Sequence, residues 1–202
     1  MARLEVNPAR GAGFPDGKPL PSPRIASRLN TNVVAASYGC HQGEDIVEPA
    51  FTLGPVTSPA ELRAEPLRRL FLIWQAAGPG LPLGASLSIP KTDPLHGLLW
   101  QFEVMGPCED FRCVMMGEGT ARTYGIDPTG QPVTSLARSP FVGRVISILR
   151  LTCRDMAPVR FASESSVIPG RDLYDIEALS LPLGGPGGGV AGIIGATVAR
   201  DR

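Results

Sequence analysis

Apolar positions change their period several times between residues 58 and 200, and each change marks an element. Leu67, Leu70, Phe71 and Trp74 recur at the spacing of one buried helical face, while Arg63, Glu65, Arg68 and Arg69 are polar. Ahead of them, Ser58-Pro59-Ala60-Glu61 supplies a capping serine, a proline at the first helical position and a glutamate three residues after the cap. A helix is therefore predicted over 59–77, kinked at Pro66 and ended by Gly78-Pro79-Gly80. Turn formers then run to Gly97 and read as a surface connection. Leu98, Trp100, Phe102 and Val104 alternate with Gln101 and Glu103, the period of a half-buried strand. After the turn at Gly106-Pro107, Phe111, Cys113 and Met115 fall on one face with Arg112 on the other, which makes a second strand and an antiparallel hairpin.

The next stretch, 117–136, is small, polar and broken by Gly125, Pro128, Gly130 and Pro132, as suits one or two short helical turns. Ser139-Pro140 opens a long helix that Pro158 closes. Phe141, Val145, Ile148, Leu149, Thr152 and Met156 line one side of it, with Arg144, Arg150 and Arg154 elsewhere. Three strand-like runs follow at 159–168, 173–183 and 190–199, separated by Pro169-Gly170 and the glycine cluster at 184–189. Helix, two strands, short helices, a long helix and three strands is an α+β order. Before residue 58, prolines 8, 15, 19, 21, 23, 49 and 55 alternate with small polar residues, and Phe14, Tyr38 and Phe51 are sparse anchors. Residues 1–57 are expected to be a flexible tail, with NVVAAS at 32–37 a lone strand or docking segment, and 58–202 the folded domain.

Composition narrows the function classes. The 202 residues carry 19 basic and 19 acidic side chains, a balance that excludes a dedicated nucleic-acid binder. The longest weakly polar stretch, VAGIIGATVA, is ten residues, half of a spanning helix, so no membrane crossing is expected. Glu5, Asn7, Pro8 and Arg10 interrupt any export signal. Four cysteines, none in a Cys-x-x-Cys pair, form neither a secreted disulfide framework nor a zinc ribbon, and a cytoplasmic location is expected.

One segment is more specific. Phe111-Arg112, Gly117, Tyr124-Gly125, Asp127, Thr129 and Gly130 resemble the phenylalanine-arginine strand, the following glycine and the Tyr-Gly-x-Asp-x-Thr-Gly turn of the short, stand-alone PAS proteins common in alphaproteobacteria. The upstream helix with Trp74, the proline-rich connection after it and Leu181-Pro182-Leu183 match as well, so the resemblance covers roughly residues 60–200. It implies a five-stranded antiparallel sheet with helices on one face and an N-terminal flanking helix. It also implies a bacterial sensory or protein-interaction module in signal transduction rather than an enzyme. The chain has no room for a kinase, cyclase or DNA-binding output domain, so any output is expected in trans.

The remaining chemistry is sparse. Gly187 to Gly192 satisfies G-x-G-x-x-G, but a strand follows it and no ribose-binding acid has room. Cys40, His41, His96, Cys108 and Cys113 lack the paired spacing of a metal site, and no metal is expected. Set beside haem- and flavin-binding PAS domains, the long helix has no histidine, and Thr152-Cys153-Arg154 echoes the flavin motif in the wrong element, so no cofactor is expected. Cys113 and Cys153 read as small buried hydrophobes. With only two histidines there is no base for a nucleophile, and Glu164 and Glu177 read as a solvated sheet surface, so no catalytic residue is expected.

Two groups of residues remain as candidates. In the PAS arrangement, Trp100, Phe102, Phe111, Cys113, Met115, Tyr124, Phe141, Val145, Leu149 and Phe161 would line a pocket for a small apolar ligand, or simply fill the core. Leu62, Leu67, Leu70, Ile73 and Trp74 on the first helix would cap its own sheet or pair it with a second copy in a homodimer. The expected role is signal transduction through a ligand or an unidentified signalling partner. The rivals are a structural adaptor with a closed core and a small enzyme using the PAS cup.

Overall fold

The computed structural model describes residues 50–78, 80–84, 87, 89–168, 170 and 173–201. The chain order is β1 (Phe51–Pro55), α1 (Glu65–Ala76), β2 (Leu99–Met105), β3 (Asp110–Met116), α2 (Glu118–Tyr124), α3 (Pro140–Asp155), β4 (Val159–Ser165), β5 (Leu173–Gly184) and β6 (Val190–Asp201). All six strands form one antiparallel sheet in the order β1-β4-β5-β6-β2-β3. Strands β2 to β6 make the expected five-stranded antiparallel sheet, to which β1 adds a sixth strand at the β4 edge.

Alternation along β5 and β6 sorts the core into layers. Leu179, Leu181, Leu183, Ile194 and Ala196 meet Leu62, Leu67, Leu70 and Phe71 from the α1 side. Ile193 points the other way, joining Trp100, Phe102, Phe111 and Cys113 against Val142, Leu149 and Cys153. Ile148 of α3 packs with Val159, Phe161, Ile176 and Ala178 toward the β1 edge. The sheet is thus covered by α3 on one face and α1 on the other.

Local chemistry places the helix ends. The Ser58 capping box closes on a 3₁₀ turn, Pro59–Glu61, with the Glu61 carboxylate accepting from the backbone of Ser58 at 2.9 Å. Leu62 is extended, and α1 restarts at Glu65 with Pro66 in its first turn, where a missing N–H costs nothing. The expected single kinked helix over 59–77 is therefore two pieces. Ser139 Oγ accepts from Val142 N at 3.2 Å and starts α3. Its end is set by Met156, left-handed at φ 49°.

That left-handed cap also corrects the apolar stripe of the long helix. Met156 is turned out and is 53% exposed, while Arg144, expected on a polar side, is 8% exposed, with its guanidinium carbon 4.6 Å from the Phe51 ring centre.

Three further expectations are corrected. Phe51–Pro55 is a paired strand, so the ordered chain begins before residue 58; residues 1–49, with the 32–37 run, Cys40 and His41, lie outside the described residues. In β3 the register slips between Gln101 and Phe102 of the partner strand, so Val114 is an extra residue. A one-residue bulge reverses the facing of everything after it: Met115 packs on the α1 side and Met116 joins Phe102 and Cys113. Finally, Cys108 and Cys153 form a disulfide with Cα atoms 6.0 Å apart, within the usual span of a disulfide. Cys153 is buried as expected but is not a lone thiol, and the cysteine count no longer argues for a reducing compartment. No helix among the described residues is long and apolar enough to cross a membrane.

Candidate functional site

Between α3 and the sheet lie two small voids on either side of Tyr124. One, of about 30 Å³, is lined by Trp100, Phe102, Tyr124, Val145, Ile148, Leu149 and Ala178. The other, of about 20 Å³, runs between Phe102, Met116, Tyr124, Val133, Phe141 and Val145. Each has room for about one water. Phe102, Tyr124 and Val145 are walls of both.

The walls are apolar because the strand alternation sends β2 side chains at 100 and 102 toward α3, which answers with 145, 148 and 149 at helical spacing. Aromatic contacts tighten the packing: Tyr124 and Phe141 have ring centres 4.8 Å apart, and Trp100 meets Phe102 edge to face at 5.6 Å. Three polar side chains on the inner face, Trp100, Tyr124 and Thr197, bond to one another. Thr197 Oγ1 accepts from Trp100 Nε1 at 3.1 Å and shares a 2.6 Å bond with the Tyr124 hydroxyl. Burial pushes the Tyr124 phenol up to about 12, against the lowering effect of its bond to Thr197. Thr152 of α3 donates to Ser180 of β5 at 2.7 Å.

Of the residues predicted to line a pocket, Trp100, Phe102, Tyr124, Val145 and Leu149 surround the first void, and Phe141 lines the second. Phe111 and Cys113 lie next to them but are wholly buried packing residues. Burial pushes the Cys113 thiol up from its ordinary value, so it stays protonated. Met115 is carried to the opposite face by the bulge, and Phe161 stacks on Phe51 with ring centres 5.5 Å apart. Ile148, Ala178, Met116 and Thr197 belong to the site and were not singled out. Ile148 was legible in the helical stripe, whereas Met116 needed the bulge.

The residues expected to form a dimer helix are used at home. Leu62, Leu67 and Leu70 are at most 1% exposed and face the chain's own sheet. Ile73 and Trp74 are half-buried on the same core, and Trp74 Nε1 donates to Pro182 O at 2.8 Å.

Glu177 is a second departure. Expected on a solvated surface, it is 2% exposed, while Glu164 is exposed. The Glu177 carboxylate accepts from Arg63 N at 3.0 Å and Ala64 N at 2.8 Å and pairs with Arg160 Nε. Ala64 is the residue before the first turn of α1 and has no capping side chain, so a carboxylate from β5 takes that place. Desolvation pushes this carboxyl up, but the Arg63, Arg160 and Ala64 bonds outweigh it and hold it below the ordinary carboxylate range. It is a tether between the sheet and α1, and the nearby carboxylate of Asp175 pairs with the same Arg63 guanidinium at 2.8 Å.

No family model and no curated protein matches this chain. Among solved structures it is similar to the PAS domain of BvgS from Bordetella pertussis, at 16% sequence identity and a TM-score of 0.39, over 52% of this chain and 78% of that one.

Proposed function

We propose that this chain is a PAS-like recognition module of a signalling system, acting in trans by docking a protein partner on its surface while its core stays closed. The observation that carries this reading is the filling of the space between α3 and the sheet. Voids of about 30 and 20 Å³ are an order of magnitude below the ~300 Å³ at which small-molecule sites begin. Their polar neighbours Trp100, Tyr124 and Thr197 are engaged with one another. That mutual engagement of the polar groups beside the voids argues against an enzyme in the cup.

A small apolar ligand is the second reading, favoured by the shared walls of the two voids. A rotation of Tyr124 or Val145 would join them into one longer slot beneath α3. Self-association through α1 would have to use its outer side, where Leu72 is 51% exposed. Native mass spectrometry of the chain purified from a cytosolic extract separates these readings. The closed module predicts the bare chain mass or its multiples, and a reproducible small added mass would overturn it in favour of the ligand sensor.

A further inference from the structure

We propose that Cys108 and Cys153 form a reversible thiol–disulfide switch that locks the C-terminal half of α3 over the sheet. This goes beyond the docking role and does not depend on it. The two cysteines are 45 residues apart, and the loop their bond closes contains β3, α2 and nearly all of α3, the whole helical layer over the two voids. Cys153 lies one turn after Leu149, a wall of the larger void, and is 3% exposed within the same apolar cluster. Cys108 sits in the turn between β2 and β3. The bond thus fastens the end of the covering helix to the end of the hairpin beneath it.

Three features distinguish this bond from a buried staple. Cys108 is only half-buried and lies in a surface turn, which makes it the more accessible of the two cysteines to an attacking thiolate. Its backbone is left-handed at φ 62°, a region that a side chain other than glycine or asparagine rarely adopts, which marks the turn as a strained segment. The bond is also the covalent tie at an end of α3 that is otherwise held by apolar packing and by hydrogen bonds such as Arg150 Nη2 on Glu109 O at 3.0 Å and Thr152 on Ser180.

The step is thiol–disulfide exchange with a cellular dithiol. A thiolate of the dithiol attacks Cys108 Sγ, the Cys108–Cys153 bond breaks, and Cys153 leaves as a thiolate that takes a proton. The second thiol of the dithiol then attacks its own sulfur in the mixed disulfide and frees Cys108. Two electrons and two protons pass to the protein, and the dithiol leaves as a cyclic disulfide. The reverse exchange with a small disulfide restores the lock.

The test uses the full chain equilibrated in dithiothreitol redox buffers under native conditions. Thiol alkylation with peptide mapping reads the pair, and amide hydrogen exchange reads residues 148–155. The switch predicts a reversible two-electron opening while the protein stays folded, with exchange in 148–155 accelerated about tenfold or more. A Cys108→Ser, Cys153→Ser double variant should exchange at the fast rate whatever the buffer. If that variant fails to fold, the wild-type comparison still decides. Reduction that occurs only on global unfolding, opening without a change in exchange at 148–155, or free thiols at 108 and 153 in oxidising buffer would each overturn the proposal.

Discussion

Replacing Glu177 by alanine should detach the start of α1 from the sheet. The carboxylate receives two backbone N–H groups from Arg63 and Ala64 and the Arg160 guanidinium, at a site 2% exposed. Hydrogen bonds to a charged group contribute roughly 1.5–3 kcal/mol each, and removing one partner of a buried pair costs ~3–5 kcal/mol. The Arg160 side chain is 24% exposed and can take up water, and the two N–H groups lie near the surface, so the lower end of that range applies. The expected loss is about 3 kcal/mol, a large share of the ~5–15 kcal/mol by which a domain is stable. Urea denaturation followed by tryptophan fluorescence measures it, since Trp74 reports α1 docking. The pH sign follows from the lowered carboxyl. The contribution is fully present above the ordinary glutamate value of 4.5 and is lost as pH falls through the lower folded value. Glu177→Gln should flatten that acid limb while keeping most of the packing. A cost below about 1 kcal/mol for the alanine variant, or an unchanged acid limb for the glutamine variant, would refute the tether.

Two other substitutions probe the face beneath α3. A side chain at Gly195 would strike the Leu179 carbonyl oxygen and the Trp100 ring, so Gly195→Val should cost at least ~3 kcal/mol or prevent folding, read as thermal midpoint or soluble yield. Tyr124→Phe removes the phenol bound to Thr197 and should cost about 1 kcal/mol in the same melt, and an ultraviolet titration of the wild type should lose its phenolate step near 12 in the variant.

The elements that were legible in the sequence are those whose signal is local. Alternation at 98–105 and the helical stripe at 141–149 needed no knowledge of partners, and the observed β2 and α3 fall on them. What was missed depends on distant residues. Phe51–Pro55 contains a glycine and a proline and becomes a strand only because β4 pairs with it. The facing of Met115 and Met116 turns on one extra residue at Val114, which leaves the composition of the strand unchanged. Glu177 looks like an ordinary polar position of an alternating strand, and its burial follows from a capping need 114 residues away. The apolar stripe of α1 was read correctly, but which surface it meets, the chain's own sheet or a second copy, is not written in the stripe.

The most direct test of a closed, surface-acting module is native mass spectrometry of the chain recovered untreated from a cytosolic extract, followed by release under denaturing conditions. A core with room for about one water on each side of Tyr124 predicts no retained small molecule, so every bound species should dissociate into polypeptides. A stoichiometric small mass that survives native spraying and is lost on denaturation would contradict the closed core.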